Sequence, residues 1–162
     1  MKKAVVLLFL TLGALTVRAQ AKAEAKAPEL EWHTDIAKAV SLSEKSKKPL
    51  LLFFTGSDWC GWCMKLQREV LKTPEFTKWA KDNVILVELD FPKNTAQSDA
   101  LKQQNAQIHQ FFQVRGYPTI VFANSTKTAD GKITFEALGS TGYVAGGPAT
   151  WVDHANKIIK KG

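Results

Sequence analysis

The chain holds two cysteines, Cys60 and Cys63, separated only by Gly61 and Trp62, with Trp59 immediately before them. A hydrophobic run, Leu50-Leu51-Leu52-Phe53-Phe54, leads into the pair and a helical pattern follows it. A cysteine in the first turn of a helix meets unpaired backbone N–H groups and the positive end of the helix dipole. Both favour thiolate over thiol, which makes the leading sulfur a nucleophile near neutral pH. Two intervening residues let the second sulfur fold back, so the pair can pass between dithiol and disulfide by thiol–disulfide exchange. Two other chemistries compete. A structural zinc site needs four ligands, but there is no second cysteine pair, and His33, His109 and His154 are scattered without ligand spacing. No metal and no cofactor is expected. A purely structural disulfide would close so short a loop that it restrains the unfolded chain little.

The elements that must position the pair follow from periodicity. Thr34 or Asp35 can cap a helix running to about Lys47, with Ile36, Val40 and Leu42 turned inward and Pro49 closing it. Residues 50–55 read as a central strand buried on both faces. The cysteine helix carries Leu66, Val70 and Leu71 on one stripe, is broken or restarted at Thr73-Pro74, and continues through Phe76 and Trp79 to about Lys81. Residues 84–89 form a second buried strand, giving a β-α-β unit with a right-handed crossover. A polar stretch, 91–98, precedes a helix over 99–114 with Leu101, Ile108, Phe111 and Phe112 inward. A strand at 119–123, a loop to Gly131 and an antiparallel strand at 132–138 follow. Gly146-Gly147-Pro148 opens the last helix. The fold class is α/β, a central mixed β-sheet flanked by helices on both faces.

Thr55-Gly56-Ser57-Asp58-Trp59-Cys60-Gly61-Trp62-Cys63, together with Gly116-Tyr117-Pro118-Thr119 further on, resembles the thioredoxin superfamily. Within it, the chain is most similar to secreted bacterial domains related to the soluble C-terminal domain of the transmembrane disulfide reductase. The resemblance covers Trp32 to the C-terminus and implies a thioredoxin fold. It implies that Cys60 attacks a substrate disulfide, that Cys63 resolves the mixed disulfide, and that Pro118 is a cis-proline facing the pair. Trp59 then packs beside the motif. Gly61 and Trp62, in an exposed turn, and Tyr117, before the proline, line a groove for substrate. The chain also departs from the family. The buried acid that many such reductases carry six residues before the first cysteine is here Phe54. A second carboxylate, four residues after the second cysteine, is Gln67, and a helix-kinking proline is Arg68. Proton transfer must then use water or another group, with Asp58, Glu69 and Glu88 as unranked candidates, and an acid placed at Phe54 is expected to hasten release of substrate.

The N-terminus reads as an export signal: Lys2 and Lys3, an apolar stretch from Ala4 to Leu15, and Val17-Arg18-Ala19 before a cleavage point. The alternative is an uncleaved anchor, which the stretch is short for. The expected organisation is a signal peptide (1–19), a flexible Ala/Lys/Glu linker (20–31) and one domain (32–162), long enough for a sizeable core. The formal charge of +7 falls to +4 when Lys2, Lys3 and Arg18 leave without any acid. With acids interspersed, that balance serves solubility rather than nucleic-acid binding. The reading is a periplasmic, monomeric thiol–disulfide oxidoreductase that reduces protein disulfides and draws electrons from a membrane-bound thiol donor. A disulfide oxidase or isomerase, or a non-catalytic peptide-binding module, are the alternatives.

Overall fold

The computed structural model describes residues 30–160; the expected signal peptide and the linker up to residue 29 lie outside the described residues. Five strands form one mixed sheet in the order β1-β3-β2-β4-β5. They are β1 (Trp32–His33), β2 (Leu50–Thr55), β3 (Ile85–Asp90), β4 (Thr119–Lys127) and β5 (Ile133–Thr141). Strands β1 and β2 run parallel to β3, while β4 is antiparallel to both β2 and β5. The helices are α1 (Ile36–Ser46), α2 (Gly61–Leu66), α3 (Pro74–Asn83), α4 (Asp99–Phe111) and α5 (Gly147–Ile159). Among the described residues, no helix is long and apolar enough to cross a membrane.

Local chemistry sets the helix boundaries. The Asp35 carboxylate accepts the Ala37 and Lys38 N–H groups at the start of α1. Thr73 caps α3 through the Phe76 N–H, with Pro74 at the first helical position where its missing donor costs nothing. Between α2 and α3 the chain makes a π-helical turn, Gln67–Leu71, which periodicity did not foresee. Such single-turn π insertions rotate the side chains beyond them relative to the helix before.

The sheet divides the core into two clusters. One holds Leu51, Phe53, Cys60, Cys63, Leu66, Phe76, Trp79, Ile120, Phe122 and Trp151; the other holds Val40, Leu50, Leu52, Phe54, Val87, Leu89 and Ile108. Alternation along β2 therefore sends Phe53 to the cysteine side and Phe54 to the far side. Three expectations change here. Strand β4 runs to Lys127 because its polar end pairs with β5, Asn124 opposite Glu136 and Thr126 opposite Thr134, so the expected loop shrinks. Phe111, expected inside, is 57% exposed, and Asn105 takes the buried position on α4, donating to the Asp90 carbonyl. Leu30, at the end of the segment read as linker, packs against the cysteine-side cluster.

Candidate active site

Strand β2 ends at Thr55, and a tight turn carries the chain into α2. The Cys60 N–H donates to the Gly56 carbonyl at 2.9 Å. Gly56 has to be glycine, since a Cβ there would lie 2.3 Å from the Trp59 indole. Cys60 occupies the N-cap of α2, and its Sγ accepts the Cys63 N–H at 3.2 Å. The two cysteines are joined as a disulfide, with Cα atoms 5.2 Å apart. Cys60 is 6% exposed and Cys63 wholly buried, so the first sulfur stands nearer the surface.

Two aromatic stacks bracket the pair. Trp59, 37% exposed, donates its indole N–H to the Phe91 carbonyl at 2.8 Å and meets the Tyr117 ring edge-on at 5.5 Å. The Lys93 ammonium lies 4.3 Å above the same indole. Trp62, 57% exposed, leans on Tyr143, and the Lys65 ammonium sits 4.8 Å from both rings. The Tyr143 hydroxyl in turn donates to Glu69 at 2.6 Å. Sequence reasoning named Trp59, Trp62 and Tyr117 but missed Tyr143, Lys65 and Lys93. Lys65 was legible as the residue one turn beyond Trp62; the other two arrive only through the fold. The Tyr117–Pro118 peptide is cis, and Pro118 and Tyr117 are half-buried. Gly61 is exposed, with open space where a side chain would project.

The three acids left unranked by sequence now separate. Asp58 accepts the N–H groups of Lys93, Asn94 and Thr95 and the Thr95 hydroxyl, and so ties the 91–98 loop to the turn before the cysteines. Those bonds, led by the one from Lys93, hold its carboxyl below the usual carboxylate range. Glu69 is likewise lowered, chiefly by the Tyr143 hydroxyl. Glu88 is raised, chiefly by burial. Phe54 packs against His109 and Phe112, in the cluster that holds neither cysteine. An acid at that position would face away from Cys63, so Phe54→Asp does not hasten release of substrate as the family's spacing led one to expect.

The Asp58 clamp has a pH dependence of definite sign. Its folded value lies below its unfolded one, so the stabilisation is present above the unfolded value and lost as pH falls through the folded one. Acidification below about pH 4, the ordinary aspartate range, is expected to free the loop while the sheet persists. Asp58→Asn should free it already at neutral pH. Amide exchange at Lys93, Asn94 and Thr95 measures this, and exchange there that is indifferent to both changes refutes it.

The chain belongs to the Thioredoxin-like family, whose model matches residues 31–125. The fold, the paired cysteines and that membership define a protein-disulfide oxidoreductase. Over 160 residues the chain is 34% identical to the disulfide bond reductase DsbH of Chlamydia pneumoniae, covering 94% of this chain and 91% of that one. It is 37% identical over 90 residues to the thioredoxin-related protein DsbJ of the same organism, covering 56% of this chain and 26% of DsbJ. Among solved structures, a DsbH oxidoreductase superposes with a TM-score of 0.74 at 34% identity, covering 88% of this chain and 92% of that one.

Proposed function

We propose that this protein is a periplasmic reductase of protein disulfides, with Cys60 as the attacking and Cys63 as the resolving sulfur. One observation carries the assignment: the Cys60 sulfur already accepts a backbone N–H at the N-cap of α2, whereas Cys63 is buried one turn further on. In the reduced protein, that N–H and the helix terminus favour a thiolate at Cys60. Burial disfavours one at Cys63. Substrate lies across Trp59, Gly61, Trp62, Tyr117 and Pro118. Two of these, Trp59 and Trp62, are exposed aromatics held in place by lysines, which supply contact area at small entropic cost.

The reducing direction is supported by the name of the DsbH relative and by the absence of a histidine between the cysteines, the residue that would most stabilise a very oxidising thiolate. The export signal read in residues 1–19 supports the compartment. The protein works as a monomer and takes its electrons from a membrane-bound thiol donor, because a single cysteine pair in a folded domain cannot carry them across a bilayer.

Insulin reduction in the presence of dithiothreitol tests the activity, and equilibration with glutathione tests the direction. The expected outcome is turnover well above dithiothreitol alone and a potential near the roughly −270 mV of thioredoxin. A potential near the −120 mV or so of a strong oxidant would reverse the direction. Turnover no faster than dithiothreitol alone would make the groove a binding surface with an inert disulfide.

A further inference from the structure

Resolution of the mixed disulfide needs the proton of a buried thiol to leave, and Cys63 has no carboxylate at either position where its family keeps one. Glu88 lies elsewhere in the fold but on the correct side of it. Its partner across the β2–β3 ladder is Phe53, and opposed residues of a ladder share a face. Phe53 belongs to the buried cluster that contains Cys63. Glu88 and Phe53, with Trp32, Gln67, Leu71 and Lys72, line a cleft of about 140 Å³. That is room for several waters. Of the residues lining the cleft, Gln67 stands nearest to Cys63 along the chain. It is one helical turn beyond Cys63, its N–H donates to the Cys63 carbonyl, and side chains four apart on a helix share a face and lean towards the N-terminus. The π-turn that begins at Gln67 brings Leu71 and Lys72 round to close the lower wall. Glu88 and Gln67 both line the cleft, where a carboxylate and an amide can each bond water.

We propose that Glu88 is the proton acceptor for Cys63, through water in the cleft that Gln67 lines. The role rests on the exchange chemistry proposed above. In the step concerned, substrate is attached to Cys60 as a mixed disulfide. The Cys63 thiol gives its proton, by way of water, to the Glu88 carboxylate. The Cys63 thiolate attacks the Cys60 sulfur, the Cys60–Cys63 bond forms, and the bond from Cys60 to the substrate sulfur breaks. The electron pair leaves on the substrate thiolate, which is protonated from solvent. Substrate gains two electrons and the protein dithiol loses them. The charged groups facing Glu88 are Asp90 on its own strand and Lys72 across the cleft. Burial and Asp90 raise the Glu88 carboxyl, Lys72 opposes them, and the raised carboxylate is the better base.

The test follows reduced protein after mixing with dithiobis-nitrobenzoate. The first thionitrobenzoate released reports attack by Cys60 and the second reports resolution by Cys63. In the wild type the second phase should rise with pH as Glu88 ionises and then level off. Glu88→Gln should leave the first phase unchanged, slow the second about a hundredfold at neutral pH, and replace the plateau by a continuous climb as solvent alone removes the proton. Gln67→Glu added to that variant returns a carboxylate to the cleft and should restore the second phase. A positional role in packing would show neither the altered profile nor the rescue.

Folding is not expected to interfere. A carboxyl raised in the folded state gives stability that is full below its unfolded value and lost as pH rises through the folded one, so glutamine removes a loss at neutral pH. Should the variant nonetheless fail to fold, the wild-type profile decides, and a second phase with no inflection below the thiol range overturns the proposal. So does a folded Glu88→Gln protein with an unchanged second phase. A wild type that lacks a fast first phase would instead refute Cys60 as the activated nucleophile.

Discussion

Cys60→Ser is expected to abolish disulfide exchange to the background of the reductant alone, and Cys63→Ser to leave a protein that attacks substrate and cannot let go. The difference follows from where the two sulfurs stand. Cys60 is the more exposed and accepts an N–H at the start of α2; Cys63 shows no surface at all. A serine hydroxyl ionises far too reluctantly near neutral pH to replace the thiolate as a nucleophile. Removing Cys63 keeps the first displacement and deletes the second, so mixed disulfides with protein substrates should accumulate and survive on non-reducing gels. A serine at position 63 buries a hydroxyl among apolar neighbours, with a cost of about 1–3 kcal/mol if it finds no partner. Cys63→Ala avoids that penalty and should trap substrate equally well. Alkylation of the reduced protein gives the independent check: Cys60 should be labelled first at neutral pH. Faster labelling of Cys63 would exchange the two roles.

What the sequence discloses depends on whether the controlling interaction is local. Strand β2 was legible because a strand covered on both faces reads as an unbroken apolar run, and all six of its residues are buried. The restart at Thr73-Pro74 was legible for the same reason, since cap and first-turn proline act within one turn. The cysteine pair itself was plain, its spacing being the chemistry. The same continuous run hid the orientation of Phe54. Counting back six residues from Cys60 finds the position of the family's acid, but where every residue is apolar no alternation marks which ones face the cysteines. Strand β1, two residues pairing with Leu86 and Val87, carries too little pattern to be seen. The polar end of β4 reads as loop because its partner is supplied by β5, and Phe111 reads as core because helical spacing cannot tell that buried Asn105 has a carbonyl to bond. Glu88 was visible only as one acid among three; its cleft joins residues from β1, β2, β3 and the π-turn.

Trp151→Ala is expected to remove a large share of the protein's stability and to loosen the layer on which the site rests. Trp151 is wholly buried on α5 and is the largest such side chain among the described residues. Its ring meets Phe76 at 5.5 Å, Trp79 at 5.9 Å and Phe122 at 6.3 Å between centroids, so it joins α3, α5 and β4 into one packed layer under the cysteine helix. Truncation of a buried tryptophan costs about 3–5 kcal/mol. Domains of this size have about 5–15 kcal/mol in total. The denaturation midpoint should therefore fall steeply, with the slope unchanged if the native state stays compact. Trp151→Phe separates packing from a second role. The indole N–H donates to the Gly142 carbonyl at 3.0 Å, and Gly142 is so close to the Pro118 carbonyl that a Cβ would lie 3.0 Å from it. Tyr143, the next residue, holds Trp62. Phenylalanine keeps most of the ring contacts but leaves that carbonyl unpaired, for a loss of about 1–3 kcal/mol. It should also loosen Tyr143 and Trp62, raising KM for protein substrates more than it lowers kcat, because the grip on substrate weakens while the sulfurs keep their places. An unchanged midpoint in Trp151→Ala would contradict the packing role. A Trp151→Phe protein with wild-type KM would show that Gly142 and Tyr143 are held without the indole.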